Sequence, residues 1–143
     1  LVASAVSAAT QEKSQLAAGM CNCEDASGYN SIKCRSQGAV EAQGVAGSYA
    51  YAYCGPVRTY DFVELDQVYL YVDNANADAL SCWVRTRTFY GTSVDTEWES
   101  TTSTGAQTLS FSLDSFSESG TWQFFCKLYE DDMLYGARWT ESD

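Results

Sequence analysis

Asp73, Asn74, Asn76 and Asp78 come nearest to a metal-ligand spacing in this chain. Oxygen ligands at alternate positions open an EF-hand loop, and "NANAD" reproduces that start. Ala79 then stands where glycine must turn such a loop, and Arg85 where its bidentate glutamate belongs. The expectation narrows to a non-EF calcium site or a plain polar turn. "YEDDM", with Glu130, Asp131 and Asp132, reads first as another turn. No cofactor other than calcium is expected.

Catalysis has little to build on. With no histidine anywhere, the Ser-His and Cys-His pairs that activate a nucleophile cannot form. Two carboxylates suffice for glycoside hydrolysis, but nothing in the sequence singles out a buried pair among nineteen acids. The chain is therefore expected not to be an enzyme.

Two patterns concern recognition. In "GSYAYAYC", strand geometry puts Tyr49, Tyr51 and Tyr53 on one face and Ala50, Ala52 and Cys54 on the other. Such a row serves a core layer, a subunit contact or a sugar platform equally well. Small residues behind it would let the N-terminal segment pack closely. In "CWVRTRTFYG", Trp83, Arg85, Arg87 and Phe89 alternate in the same way. A three-residue loop at Gly91, Thr92 and Ser93 would set Arg87 opposite Glu97 and Arg85 opposite Glu99, with Thr86 against Trp98 on the inner face. That register predicts two cross-strand ion pairs rather than a binding patch.

These residues need a scaffold. Strand-like alternation runs through 48–54, 57–63, 66–73, 80–90, 94–102, 107–113, 121–129 and 133–140, with turn-formers between. About eight short strands point to an antiparallel β-sandwich. Its inner rows are Val68, Leu70 and Val72; Leu109, Phe111 and Leu113; Trp122, Phe124, Cys126 and Leu128; and Cys82 and Val84 with Thr86 and Thr88. Tyr69, Tyr71, Phe125 and Tyr129 then fall outward beside Tyr49, Tyr51, Tyr53, Trp83 and Phe89, a larger apolar surface than a monomer normally exposes.

Residues 1–44 have another texture, rich in Ala, Ser and Gln. "ATQEKSQLAAGM" predicts a short helix capped by Thr10, and "SQGAVEAQG" another helical turn. Residues 1–20 are read as a helical or extended leader, an assembly arm or a signal-peptide remnant with Val6-Ser7-Ala8 as a small-residue cleavage pattern, ahead of one domain over 21–143.

Six cysteines without histidine point to three disulfides in an oxidising compartment, not zinc. Cys82 and Cys126, both on inner rows, are expected to bridge across the sandwich. Cys21 and Cys23 lie too close to pair with each other, so each is expected to reach Cys34 or Cys54. A formal charge of −11 excludes nucleic acid as a natural partner, and no apolar run is long enough to span a bilayer.

Together these features predict a secreted or cell-surface, non-catalytic structural or adhesive protein. It would assemble with copies of itself through its N-terminal segment and aromatic face. The alternatives are a soluble carbohydrate-binding module that stacks sugars on Tyr and Trp, or a small secreted effector or toxin-like protein that binds a host protein. Besides copies of itself, the expected partners are a glycan or a cell-surface protein.

Overall fold

The computed structural model describes residues 10–23, 31–44, 47–59, 64–88, 93–113 and 120–142. Phe89 and the loop at Gly91 and Thr92 lie outside them, as do residues 1–9. Among the described residues there are ten strands: β1 (Thr10–Leu16), β2 (Ser31–Cys34), β3 (Val40–Gln43), β4 (Tyr49–Thr59), β5 (Glu64–Asn74), β6 (Leu80–Thr88), β7 (Ser93–Thr101), β8 (Gly105–Ser112), β9 (Gly120–Tyr129) and β10 (Met133–Ser142). One sheet has the order β2-β3-β10-β5-β8, with β1 added to β10, and the other has the order β4-β9-β6-β7. Every pairing between these strands is antiparallel. From β3 onward the chain changes sheet at each connection except the β6–β7 hairpin. That is the connectivity of a double-sheet jelly roll.

Alternation decides which side of each strand is core. Val68, Leu70, Val72, Leu109, Phe111, Leu113, Cys82, Val84, Thr86, Trp122, Phe124, Cys126 and Leu128 are all buried, as their spacing predicts. Thr88, assigned to the same row, is only partly buried. Trp122 stacks on Phe124 at 5.8 Å and meets Trp139 of the facing sheet edge-on at 5.1 Å. Ala50, Ala52 and Cys54 turn inward too, but they face the other sheet and not a leader helix.

The first forty residues depart from expectation. Thr10–Leu16 is an edge strand, not a helix; it pairs with β10 along its whole length, from Thr10 opposite Ser142 to Leu16 opposite Gly136. Its helical signal was weak, and a partner more than a hundred residues away supplies the ladder that local sequence cannot show. A single 3-10 turn follows at Ala17–Gly19. Val40–Gln43 is likewise a strand, not a helical turn. The break expected between 48–54 and 57–63 is a bulge within one strand. There the register shifts between Cys54 and Val57, and Gly55 adopts a positive φ of 97°.

All three disulfides form: Cys21–Cys54, Cys23–Cys34 and Cys82–Cys126. The Cys82–Cys126 pairing is as expected but its place is not. The two residues sit directly opposite each other on β6 and β9 of one sheet, so the bridge does not cross the sandwich. Closing a loop with a sequence separation of 44 residues limits the unfolded chain's freedom by about 3–4 kcal/mol in the chain-entropy account.

Polar groups tie β1 down. Glu141, almost fully buried, accepts from Trp139 Nε1 at 3.1 Å and pairs with Lys13 Nζ at 2.6 Å. Arg138 pairs with Glu12 at 3.2 Å. At the far end of β1 the backbones come so close that a Cβ on Gly136 would lie 2.5 Å from the Gln15 carbonyl oxygen. Gly136→Ala is therefore expected to cost about 1–3 kcal/mol through forced separation of β1 from β10. A lowered urea midpoint checks it.

Candidate functional site: the outer face of the four-stranded sheet

Because Trp122, Phe124, Cys126 and Leu128 fill the core from β9, the residues between them must face out. Cross-strand pairing then fixes their neighbours. Tyr53 lies opposite Phe125, Phe125 opposite Trp83, and Trp83 opposite Trp98. One row of four aromatic rings thus crosses all four strands, over about 14 Å at a strand spacing of ~4.8 Å. Trp83 and Phe125 stack nearly parallel, with centroids 5.0 Å apart and planes at 9°, and Tyr53 leans on Phe125 at 5.8 Å. The ends of the row are its most open members, Tyr53 at 56% and Trp98 at 60% exposure.

A second cluster adjoins the row. Tyr51 lies 6.0 Å from Tyr53 and 5.7 Å from Tyr49, and Tyr49 lies 5.8 Å from Tyr129. Lys127 reaches over this group, its ammonium 4.1 Å from the Tyr49 centroid and 5.3 Å from that of Tyr129. The Tyr129 hydroxyl beside it raises the ammonium's pKa above the usual lysine value. Across the row, the Arg85 guanidinium comes within 6.0 Å of the Phe125 centroid.

Six residues chosen from sequence for this surface are therefore brought together: Tyr49, Tyr51, Tyr53, Trp83, Phe125 and Tyr129. The core-layer reading of the tyrosines is corrected, since all three stand exposed. Tyr69 and Tyr71 belong elsewhere. They are on β5 of the other sheet, where Arg138 covers Tyr69 at 4.5 Å and Tyr71 lines a small pocket with Leu16, Tyr135 and Gly136.

The predicted arginine register is also corrected. Arg85 lies opposite Thr96, while Glu97 and Glu99 lie opposite Val84 and Cys82, so the arginines and those acids occupy opposite faces of the hairpin. A register shift between Thr86 and Arg87 re-phases the pairing near the loop. Trp98, assigned to the inner face by the expected register, stands outside. A usable signal lay in Asp95, Glu97 and Glu99: charges on the inner face of a sandwich belong on an edge strand, and an edge strand leaves its outer aromatic uncovered.

Asp73 and Asn74 end β5, and Asn76 and Asp78 lie in the turn to β6. The Asn74 side-chain oxygen accepts from the Asn76 N–H, and that of Asn76 accepts from the Asp78 N–H at 2.9 Å. Asn76 Nδ2 donates to the Glu130 carbonyl, and Asp73 accepts from the Tyr135 hydroxyl. The oxygens offered to calcium from the two asparagines thus hold the polar turn itself. Among the described residues no group of three or more His, Cys, Asp or Glu side chains converges to hold a metal ion, and no helix is long and apolar enough to cross a membrane.

Sequence comparison identifies no relatives: no protein-family model and no curated protein matches this chain. Structural comparison finds chains of similar fold. The fold is similar to that of BiXyn10A CBM1 in its apo form, at 12% identity and a TM-score of 0.57, over 90% of this chain and 95% of that one. It is similar as well to a chain of the infectious bursal disease virus Gx strain, at 11% identity and a TM-score of 0.56, over 93% of this chain. A third is the Glycosylation Associate Protein (Gap123) complex from Streptococcus agalactiae, at 12% identity and a TM-score of 0.53, over 90% of this chain. The chain spans only 32% of the viral chain and 25% of the streptococcal one. At such identities the likeness establishes the β-sandwich fold alone.

The turn between β5 and β6 also has a structural use. Asp132, fully buried, accepts from the Ala75 N–H and the Tyr129 N–H, both at 2.8 Å, and so clamps two sheet-crossing turns together. Burial raises its carboxyl above the ordinary value of 3.8, despite those two N–H donors. A raised folded pKa means that the group stabilises the fold below about pH 4 and that this contribution fades as pH rises through the folded value. Asp132→Asn should cost about 1–3 kcal/mol by turning a donor toward one of the two N–H groups. The gap between wild type and variant should widen from pH 7 to pH 4, as read from urea midpoints.

Proposed function

We propose that the protein is a secreted, non-catalytic adhesive module that binds carbohydrate on the outer face of its four-stranded sheet. The row Tyr53–Phe125–Trp83–Trp98, open at both ends, carries the reading. Aromatic side chains offer broad, rigid contact area to the apolar faces of sugar rings at little entropic cost. Gln123, Thr96 and Ser81 supply polar neighbours along the row. The similarity in fold to BiXyn10A CBM1 supports the same reading. Three disulfides are consistent with an oxidising extracellular setting.

Self-association through this face fits less well. Two copies meeting face to face would set Lys127 and the Arg85 and Arg87 positions near their own equivalents, with no carboxylate at the described outward positions of these strands to answer them. The segment Thr10–Leu16, expected to reach a neighbour, completes the sheet of its own chain.

Affinity electrophoresis through gels containing soluble polysaccharides, neutral and charged, tests the proposal. Wild type should be retarded by at least one polymer. Trp98→Ala and Tyr53→Ala should each weaken retention about tenfold or more. Both side chains are largely exposed, so their removal should shift stability by no more than about 0.5 kcal/mol. Migration unaffected by every polymer, or variants that bind like wild type, would overturn it.

A further inference from the structure

The charge of the face points beyond carbohydrate in general. Nineteen acids and eight bases give the chain −11, yet the outward positions of this sheet are of the opposite sign. On β9 they are Thr121, Gln123, Phe125, Lys127 and Tyr129; on β6 Ser81, Trp83, Arg85 and Arg87; on β7 Thr96, Trp98 and Ser100; on β4 Tyr49, Tyr51 and Tyr53. Among these described positions three are cations and none is an acid. In the hairpin the acids are sorted to the other side: Asp95, Glu97 and Glu99 lie opposite Thr86, Val84 and Cys82 on the inner face.

The cations are also placed with respect to the rings. Arg85 lies two residues beyond Trp83 and Lys127 two residues beyond Phe125, on opposite sides of the row, each about 6.8 Å along the strand. The ion pairs Lys13–Glu141, Arg35–Glu41 and Arg138–Glu12 lie in the other sheet and its turns. Instead of carboxylates, Lys127 touches the rings of Tyr49 and Tyr129, and Arg85 approaches Phe125.

From this juxtaposition we infer that the ligand is an anionic polysaccharide bearing carboxylate or sulfate groups. Its sugar rings lie on the Tyr53–Phe125–Trp83–Trp98 row, and its charges meet Arg85 on one flank and Lys127 on the other. Guanidinium suits either anion through paired N–H donors, and ammonium serves as a mobile point charge. The inference rests on the carbohydrate reading and specifies its ligand. A local positive field on an otherwise acidic particle admits an acidic chain at this face while the rest of the surface repels it.

The test compares each charged polymer with a neutral one of the same backbone: polygalacturonate against fully methyl-esterified pectin, and dextran sulfate against dextran. Retention of the intact, non-reduced protein is measured at low and at physiological salt. Wild type should bind at least one charged polymer about tenfold or more tightly than its neutral counterpart, and less tightly as salt rises. Arg85→Gln and Lys127→Gln should each lower that affinity several-fold and shrink the preference for the charged polymer over its neutral counterpart. Trp98→Ala should weaken both.

Equal affinity for charged and neutral partners, or glutamine variants that bind like wild type, would overturn the inference. If Trp98→Ala still weakened binding in that case, the carbohydrate reading would stand without it. Absence of binding to all four polymers would remove both. Wild-type self-association in sedimentation, abolished by Arg85→Gln, would overturn the inference in favour of an acidic surface on a second copy.

Discussion

The register of β9 governs the whole molecule. It is a central strand, paired on one side with β4 and on the other with β6, and its inward residues carry much of the core. A slip of one residue would send Trp122, Phe124, Cys126 and Leu128 into water and bring Lys127 and Gln123 inside. The Cys82–Cys126 bond pins that register against β6 covalently. The aromatic row outside is therefore a by-product of the core inside. Once the inward residues are fixed, Phe125 and its cross-strand neighbours have nowhere else to go.

Much of this was legible in the residues, and the failures share one cause. Period-two alternation identified the buried rows of β5, β6, β8 and β9, because whether a side chain faces in or out is a local property of a strand. It yielded no row for β10, whose Leu134, Ala137 and Trp139 are buried too. It could not say which strands lie side by side. Hence Cys82 and Cys126 were rightly paired but assigned to different sheets, and Tyr69 and Tyr71 were grouped with tyrosines that face the other way. β1 escaped notice because Thr10–Leu16 has no apolar row of its own; its strand character comes from the β10 ladder and the buried Glu141 that Lys13 neutralises. The expected register matched faces as well as charges and set Trp98 inside against Thr86, whereas the observed pairing sets Trp98 outside against Trp83. Exposed Arg–Glu pairs contribute only about 0.2–1 kcal/mol, too little to fix a register.

The same energetics explain how aromatic and basic residues can gather on one face of the sandwich. A solvated sheet face imposes no packing demands, so aromatic and basic residues accumulate on it without disturbing the core beneath. What they require is rigidity. That comes from three disulfides and from the Asp132 clamp, which ties the turn after β5 to the turn after β9.

Thr10 pairs with Ser142, so the two ends of the described fold leave side by side from the sheet opposite the aromatic face. A domain wired in this way can be spliced into a longer polypeptide through two neighbouring peptide bonds, or have its ends rejoined and reopened at another loop, without redrawing its interior. It also has a fixed orientation: whatever is tethered at that seam stands behind the sandwich, and the rings look away from it.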